Sequence, residues 1–306
     1  MRFGQMVTIV STGRLATACL MVVFGASLGA QAEPQNAVQA KPPKAEATKN
    51  HTATPTKMVL EPRAMDLLRA ASDRLAAAKS MSFTATASYE YPSQLGPPIL
   101  YTVRYDVTMQ RPDKLRVIIP GDGPASEFYY NGKSMMAYAP AENLVAVADA
   151  PPTIDGALKA AFQTADIFFP FTDLLVADPY AAMTEGAILA FYIGSSDMVG
   201  GTKTEMLAWA NPDVFLQIWI GAEDKLPRRV RATYSADPAH LHHQLDLSNW
   251  QLDQDVPAAA FASEKAASAQ PMKFDRPSNG SAPPGLKPLG YKPPKAVPAQ
   301  PAAKSP

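Results

Sequence analysis

Residues 101–119 read YTVRYDVTMQRPDKLRVII, and their reading decides the fold. Tyr101, Val103, Tyr105, Val107 and Met109 alternate with Thr102, Arg104, Asp106, Thr108 and Gln110. That is the two-residue period of a strand with one apolar face and one wet face. After Arg111 and the turn residue Pro112, Leu115, Val117 and Ile119 take up the same alternation. Upstream, Met81, Phe83, Ala85, Ala87, Tyr89 and Tyr91 alternate with polar or small residues. Downstream, Phe128 and Tyr130 lead into Asn131-Gly132, a strong short hairpin signal, with a return strand over residues 134–138. Another turn at 140–143 feeds Leu144, Val145 and Val147, so residues 81–147 predict an antiparallel meander.

Two helical pieces interrupt the strands. Residues 153–164 carry Ile154, Leu158, Ala161 and Phe162 on one side, and residues 171–183 carry Leu174, Leu175 and Tyr180. Strands resume at 187–193, 203–210, 214–221, 227–234 and 241–252. A further helix precedes the sheet, opening at Glu61-Pro62 with Met65, Leu68, Ala71, Ser72 and Leu75 in one stripe. Strands before and after helices, without βαβ alternation, predict an α+β domain. So many antiparallel strands in one sheet twist and curl, which puts the helices over a concave face.

The flanks are different material. Arg2 and Arg14 precede an apolar run at 15–30, and Ala30 and Ala32 form a small-residue cleavage site, which predicts a signal peptide over 1–32. As a helix the run would reach only ~24 Å, short of a ~30 Å hydrocarbon core. The single cysteine, Cys19, lies inside it, so the exported chain is expected to fold without disulfides. Residues 33–57 are too poor in β-branched and aromatic side chains to offset their ordering entropy and are expected to be a linker. Residues 276–306 repeat Pro, Ala and Lys and are expected to form an extended tail, leaving one domain over 58–275.

Lys and Arg number 28 and Asp and Glu number 28, so the chain lacks the basic field that gathers phosphates, and nucleic acid is not an expected partner. No catalytic motif stands out. Gly194-Ser195-Ser196 lacks the nucleophile elbow, Gly200-Gly201 lacks the context of a phosphate loop, and no pair of carboxylates is singled out. His240, His242 and His243 form a histidine cluster without the further ligands a metal would need. No enzyme, cofactor or metal is expected.

The ordered segments RPDKLRV (111–117), FYYNGKSMMAY (128–138), APPTID (150–155), PFTDLLVADPY (170–180), QIWI (217–220), LPRRV (226–230) and LSNWQL (247–252) resemble a family of predicted periplasmic proteins, DUF2092. That family is similar to the LolA and LolB type of lipoprotein carriers. The resemblance implies an incomplete antiparallel barrel closed by helices around a hydrophobic cavity. It also implies a ligand-handling role for Arg111, whose Arg-Pro pair matches one in the carriers, and places the protein in the periplasm. A cysteine and histidine found before QIWI elsewhere in the family are absent, the stretch here being Lys203-Thr204-Glu205-Met206-Leu207.

The expected function is non-catalytic binding of a lipid or acyl chain, as carrier or sensor. Arg111, Tyr101, Val103, Tyr105, Val107, Phe128, Tyr130 and Trp219 are the candidate ligand contacts. Side chains that simply fill a core, in an envelope module that presents a surface to a protein partner and has a Pro-rich tethering tail for reach, fit the same alternation, and the sequence leaves that alternative open.

Overall fold

The structure, a computed structural model, describes residues 59–93, 96–121 and 124–276. The expected leader, the linker and the tail beyond Arg276 lie outside these residues. Helix α1 (Pro62–Ala77) begins with proline, whose missing N–H would be unpaired in a first turn in any case. It buries Ala64, Leu67, Leu68, Ala71, Ser72 and Leu75 at three- and four-residue spacing.

Six strands follow: β1 (Ser80–Tyr91), β2 (Ile99–Gln110), β3 (Lys114–Ile119), β4 (Ser126–Tyr130), β5 (Ser134–Ala139) and β6 (Leu144–Asp149). At the β4–β5 turn Gly132 has φ of 91°, and a Cβ there would press into the Asp113 carboxylate. The Asn131 side chain closes the turn by accepting from the amides of Lys133 and Ser134. Three helices come next, α2 (Ile154–Ala165), α3 (Thr172–Leu175) and α4 (Pro179–Thr184). The five strands after them are β7 (Leu189–Ser196), β8 (Thr204–Ala210), β9 (Val214–Gly221), β10 (Pro227–Tyr234) and β11 (His242–Leu252).

The expected single helix over 171–183 is thus two short ones. Pro179 disfavours helical geometry at the residue before it. Asp178 instead turns out of the helix and caps α4 by accepting from the Ala181 amide at 2.9 Å. A twelfth strand, β12 (Gln270–Met272), runs parallel to β6 and has no counterpart in the sequence reading. Three residues are too few for alternation to show.

All strands join one sheet in the order β12-β6-β5-β4-β3-β2-β1-β11-β10-β9-β8-β7. Two meanders, β1 to β6 and β7 to β11, are stitched along the antiparallel β1–β11 pair. The order has two ends, so the sheet does not close. Flat, twelve strands at ~4.8 Å would span about 50 Å. Yet Ala146 of β6 and Ala190 of β7 belong to the same buried core as Leu68 of α1 and Leu158 of α2. Only a strongly curved sheet brings both flanks to one set of helices.

Both edges are covered in part. Residues 59–61 run along β7, with Ala190 N–H donating to the Val59 carbonyl (2.9 Å) and Glu61 N–H donating to the Ala190 carbonyl (2.8 Å). The Glu61 carboxylate also takes the Tyr192 amide at 2.7 Å, while β12 occupies the free side of β6. Free edges of this length would invite pairing with another chain.

Arg111 ties the helices to the sheet. From the end of β2 its guanidinium donates to the carbonyls of Leu175 (3.1 Å), Val176 (3.0 Å) and Leu75 (3.4 Å), at the C-terminal ends of α3 and α1. Those carbonyls have no intrahelical donor of their own. The carboxylate of Asp155, in the first turn of α2, accepts from the Ala177 amide at 3.1 Å and fixes the same segment from the other side. Replacing Arg111 by methionine is expected to lower stability by about 2–4 kcal/mol in urea unfolding, since unpaired buried carbonyls cost ~1–3 kcal/mol each. A loss under ~0.5 kcal/mol would show that water replaces the guanidinium without penalty.

Candidate functional site

Register across the middle of the sheet aligns side chains of like parity into rows on the concave face. One row runs Val103, Ala87, Leu245, Val230, Ile218 across β2, β1, β11, β10 and β9. The next runs Tyr101, Tyr89, His243, Ala232, Leu216 across the same strands. The first row is wholly apolar. The second is aromatic on one side, where Tyr89 stacks on Tyr101 at 5.7 Å and on His243 at 6.4 Å, while Tyr234 meets the His243 ring edge-on at 5.1 Å.

Above these rows the chain leaves α2 through Asp166, whose left-handed conformation (φ 55°) ends the helix. Phe169 and Phe171 follow, stacked on each other at 5.7 Å. Phe171 touches Phe83 at 5.5 Å and Tyr105 at 5.3 Å, and Phe169 touches Phe128 at 5.4 Å. This aromatic wall divides the half-barrel. On the β2–β5 side the concave space is filled, with Val107, Met109, Leu115, Val117, Tyr130 and Met135 all buried. On the β9–β11 side a cavity of about 520 Å³ remains, a volume within the ~300–1,000 Å³ range of ligand sites.

Its floor is Ala87, Leu216, Ile218, Val230, Ala232 and Leu245, its roof Phe168, Pro170, Phe171, Leu174 and Met183, and Tyr89, Tyr91 and Tyr101 contribute on the β1–β2 side. Tyr91 and Phe168 are exposed as well as lining. The polar groups in the lining include Asp173 of α3, Tyr234 of β10, His243 of β11 and Tyr105. Burial pushes the Asp173 carboxyl up to about 7, with Glu185 adding to the rise. Burial also raises the Tyr105 phenol to about 12, and raises Tyr234 further with Asp173 contributing. His243 is lowered by burial, against the pull of Asp237 and Glu90, which favours its neutral form.

Of the residues expected from the sequence, Tyr101 and Tyr105 line the cavity. Val107, Phe128 and Tyr130 belong to the filled half, where the Tyr130 hydroxyl donates to the Pro151 carbonyl at 2.6 Å. Val103 ends the apolar row, half-buried and outside the lining. Trp219 has the opposite parity to Ile218, so it lies on the outer face beneath the Arg229 guanidinium at 5.9 Å. Arg111 lies at the helix ends and is not part of the lining. His242 and His243, adjacent on a strand, face opposite sides; His242 Nδ1 meets Glu90 at 3.1 Å.

The sequence reading missed Ile218, Asp173 and His243 as lining residues. Ile218 was legible from alternation in QIWI. Asp173 was not, because only the fold shows that its helix roofs a cavity.

Residues 64–275 match the family DUF2092, described as a predicted periplasmic protein. No curated protein matches the chain. Solved structures similar to it include lipoprotein LppX of Mycobacterium tuberculosis, at 14% identity, covering 65% of this chain and 100% of that one, with a TM-score of 0.42. LprF of Mycobacterium bovis is similar at 16% identity, 64% and 97% coverage and a TM-score of 0.40. A LolA superfamily protein of Nitrosomonas europaea is similar at 13% identity, 66% and 98% coverage and a TM-score of 0.30. Among the described residues no helix is long and apolar enough to cross a membrane.

An unfolded Asp173 titrates near 3.8 and the folded one near 7, so the folded state holds this proton more tightly. The group therefore costs stability as pH rises between those values. The stability of Asp173→Asn relative to the parent is expected to increase by about 2–4 kcal/mol from pH 4 to pH 8, measured by urea titration. A difference that stays flat or reverses would contradict the burial assigned to this carboxyl.

Proposed function

We propose that this protein, which belongs to the DUF2092 family of predicted periplasmic proteins, shelters the hydrocarbon part of a lipid or acyl-chain ligand in the cavity under α3 and α4. It acts as a carrier or sensor in the periplasm, reached through a signal peptide cleaved after Ala32. The observation that carries this reading is the unfilled half of the core. Elsewhere on the concave face large side chains meet and close the space, while beneath the roof Ala87 and Ala232 keep the floor low.

The energetics favour an apolar occupant. A 16-carbon chain in water carries about 12 kcal/mol of unfavourable hydration at ~0.8 kcal/mol per methylene. A mostly apolar lining reduces that cost, and the protein gains the contacts the unfilled space lacks. Tyr101 and Tyr105 are the proposed aromatic contacts, and specificity comes from the few polar groups among them. The function is binding rather than catalysis.

The mature protein is expected to take up Nile red with a rise in fluorescence. Ala87→Phe, which places a ring on the cavity floor beside Leu245, is expected to weaken uptake about tenfold or more with far-UV circular dichroism unchanged. No uptake by the parent, or equal uptake by the folded variant, would sink the proposal.

A further inference from the structure

The charges around the cavity are one-sided. Among the described residues its lining contains no lysine and no arginine. Arg111 is engaged by three backbone carbonyls at the helix ends. His243, the one imidazole among the described lining residues, is held toward its neutral form by burial. The acidic side is represented by Asp173, which projects from the roof among Phe171, Leu174 and Met183, with Glu185 close enough to act on it. Tyr234, across from it on β10, feels its charge.

An amphiphile bringing a carboxylate or phosphate into this space would lose hydration, meet no lysine or arginine among the described lining residues and face an acid. A hydroxyl or ammonium group would instead find an acceptor already partly desolvated, and a charge-assisted hydrogen bond there is stronger than one in water. Resting on the reading that the cavity holds an amphiphile, we infer that its ligand has a hydrogen-bond-donating head group without negative charge, a hydroxyl or an amine, and that Asp173 accepts from it. Fatty acids and phospholipids are then poor occupants, and fatty alcohols, acylglycerols, long-chain bases and other hydroxylated apolar compounds are good ones.

The test compares three twelve-carbon amphiphiles, dodecylamine, monolauroylglycerol and dodecanoate, as competitors of bound Nile red at about pH 8. The amine and the glyceride are expected to displace the dye at concentrations about tenfold or more below dodecanoate. Asp173→Asn, which keeps the shape and a hydrogen-bonding oxygen, is expected to weaken the amine about tenfold while leaving the glyceride within about threefold. Dodecanoate competing as well as the amine, or an amine preference untouched by Asp173→Asn, would overturn the head-group assignment while leaving the cavity reading intact. Failure of all three to displace bound dye would overturn the amphiphile reading and this inference with it.

Discussion

The rest of the structure depends on the pairing of β1 with β11. It joins two meanders that are separate in the chain, and its contacts reach across 165 residues, as between the Asn249 side chain and Thr84. Local turns can build each meander alone, but neither would enclose anything. Only when the first strand pairs with the last long one do Ala87, Leu245, Val230 and Ile218 form a continuous apolar row. Closing a loop of that length is entropically slow but only logarithmically costly in stability. The twelve-residue β1 contributes backbone bonds to both β2 and β11.

Curvature then creates a space larger than the helices fill. The aromatic wall of Phe83, Tyr105, Phe128, Phe169 and Phe171 takes up one half, and small residues leave the other empty. An empty apolar space is normally a stability cost, since its lining lacks contact partners. Here the roof that borders it is pinned from below by Arg111 and from the side by Asp155, so the space does not collapse. The arginine that the family resemblance associated with ligand handling thus has a visible structural part in holding α3 in place.

Much of this was legible in the sequence where the information is local. The alternation in 101–119 and its neighbours marks each strand, Asn131-Gly132 marks the hairpin, and the stripe from Leu68 to Leu75 marks the buried face of α1. What escaped was non-local or lay at single positions. β12 is three residues held by β6, α3 and α4 are separated by the demand of Pro179 on Asp178, and Trp219 turns outward because its parity is that of Gln217. Periodicity told which residues share a face of a strand. Whether that face meets a filled core or a cavity depended on how the aromatic wall and the roof pack, which no single strand encodes. Tyr105 and Phe128 have the same parity pattern, yet one borders the cavity and the other lies behind the wall.

The central claim is that the space under α3 and α4 is a ligand cavity and not a packing defect. The most direct measurement is native mass spectrometry of the mature protein recovered from its own periplasm without detergent, before and after extraction with organic solvent. The account predicts a discrete extra mass on the folded protein, released by the solvent as a lipid-like molecule and much reduced in the Ala87→Phe variant. A folded parent that carries only the mass of its polypeptide, and that acquires no adduct when mixed with total envelope lipid, would contradict it.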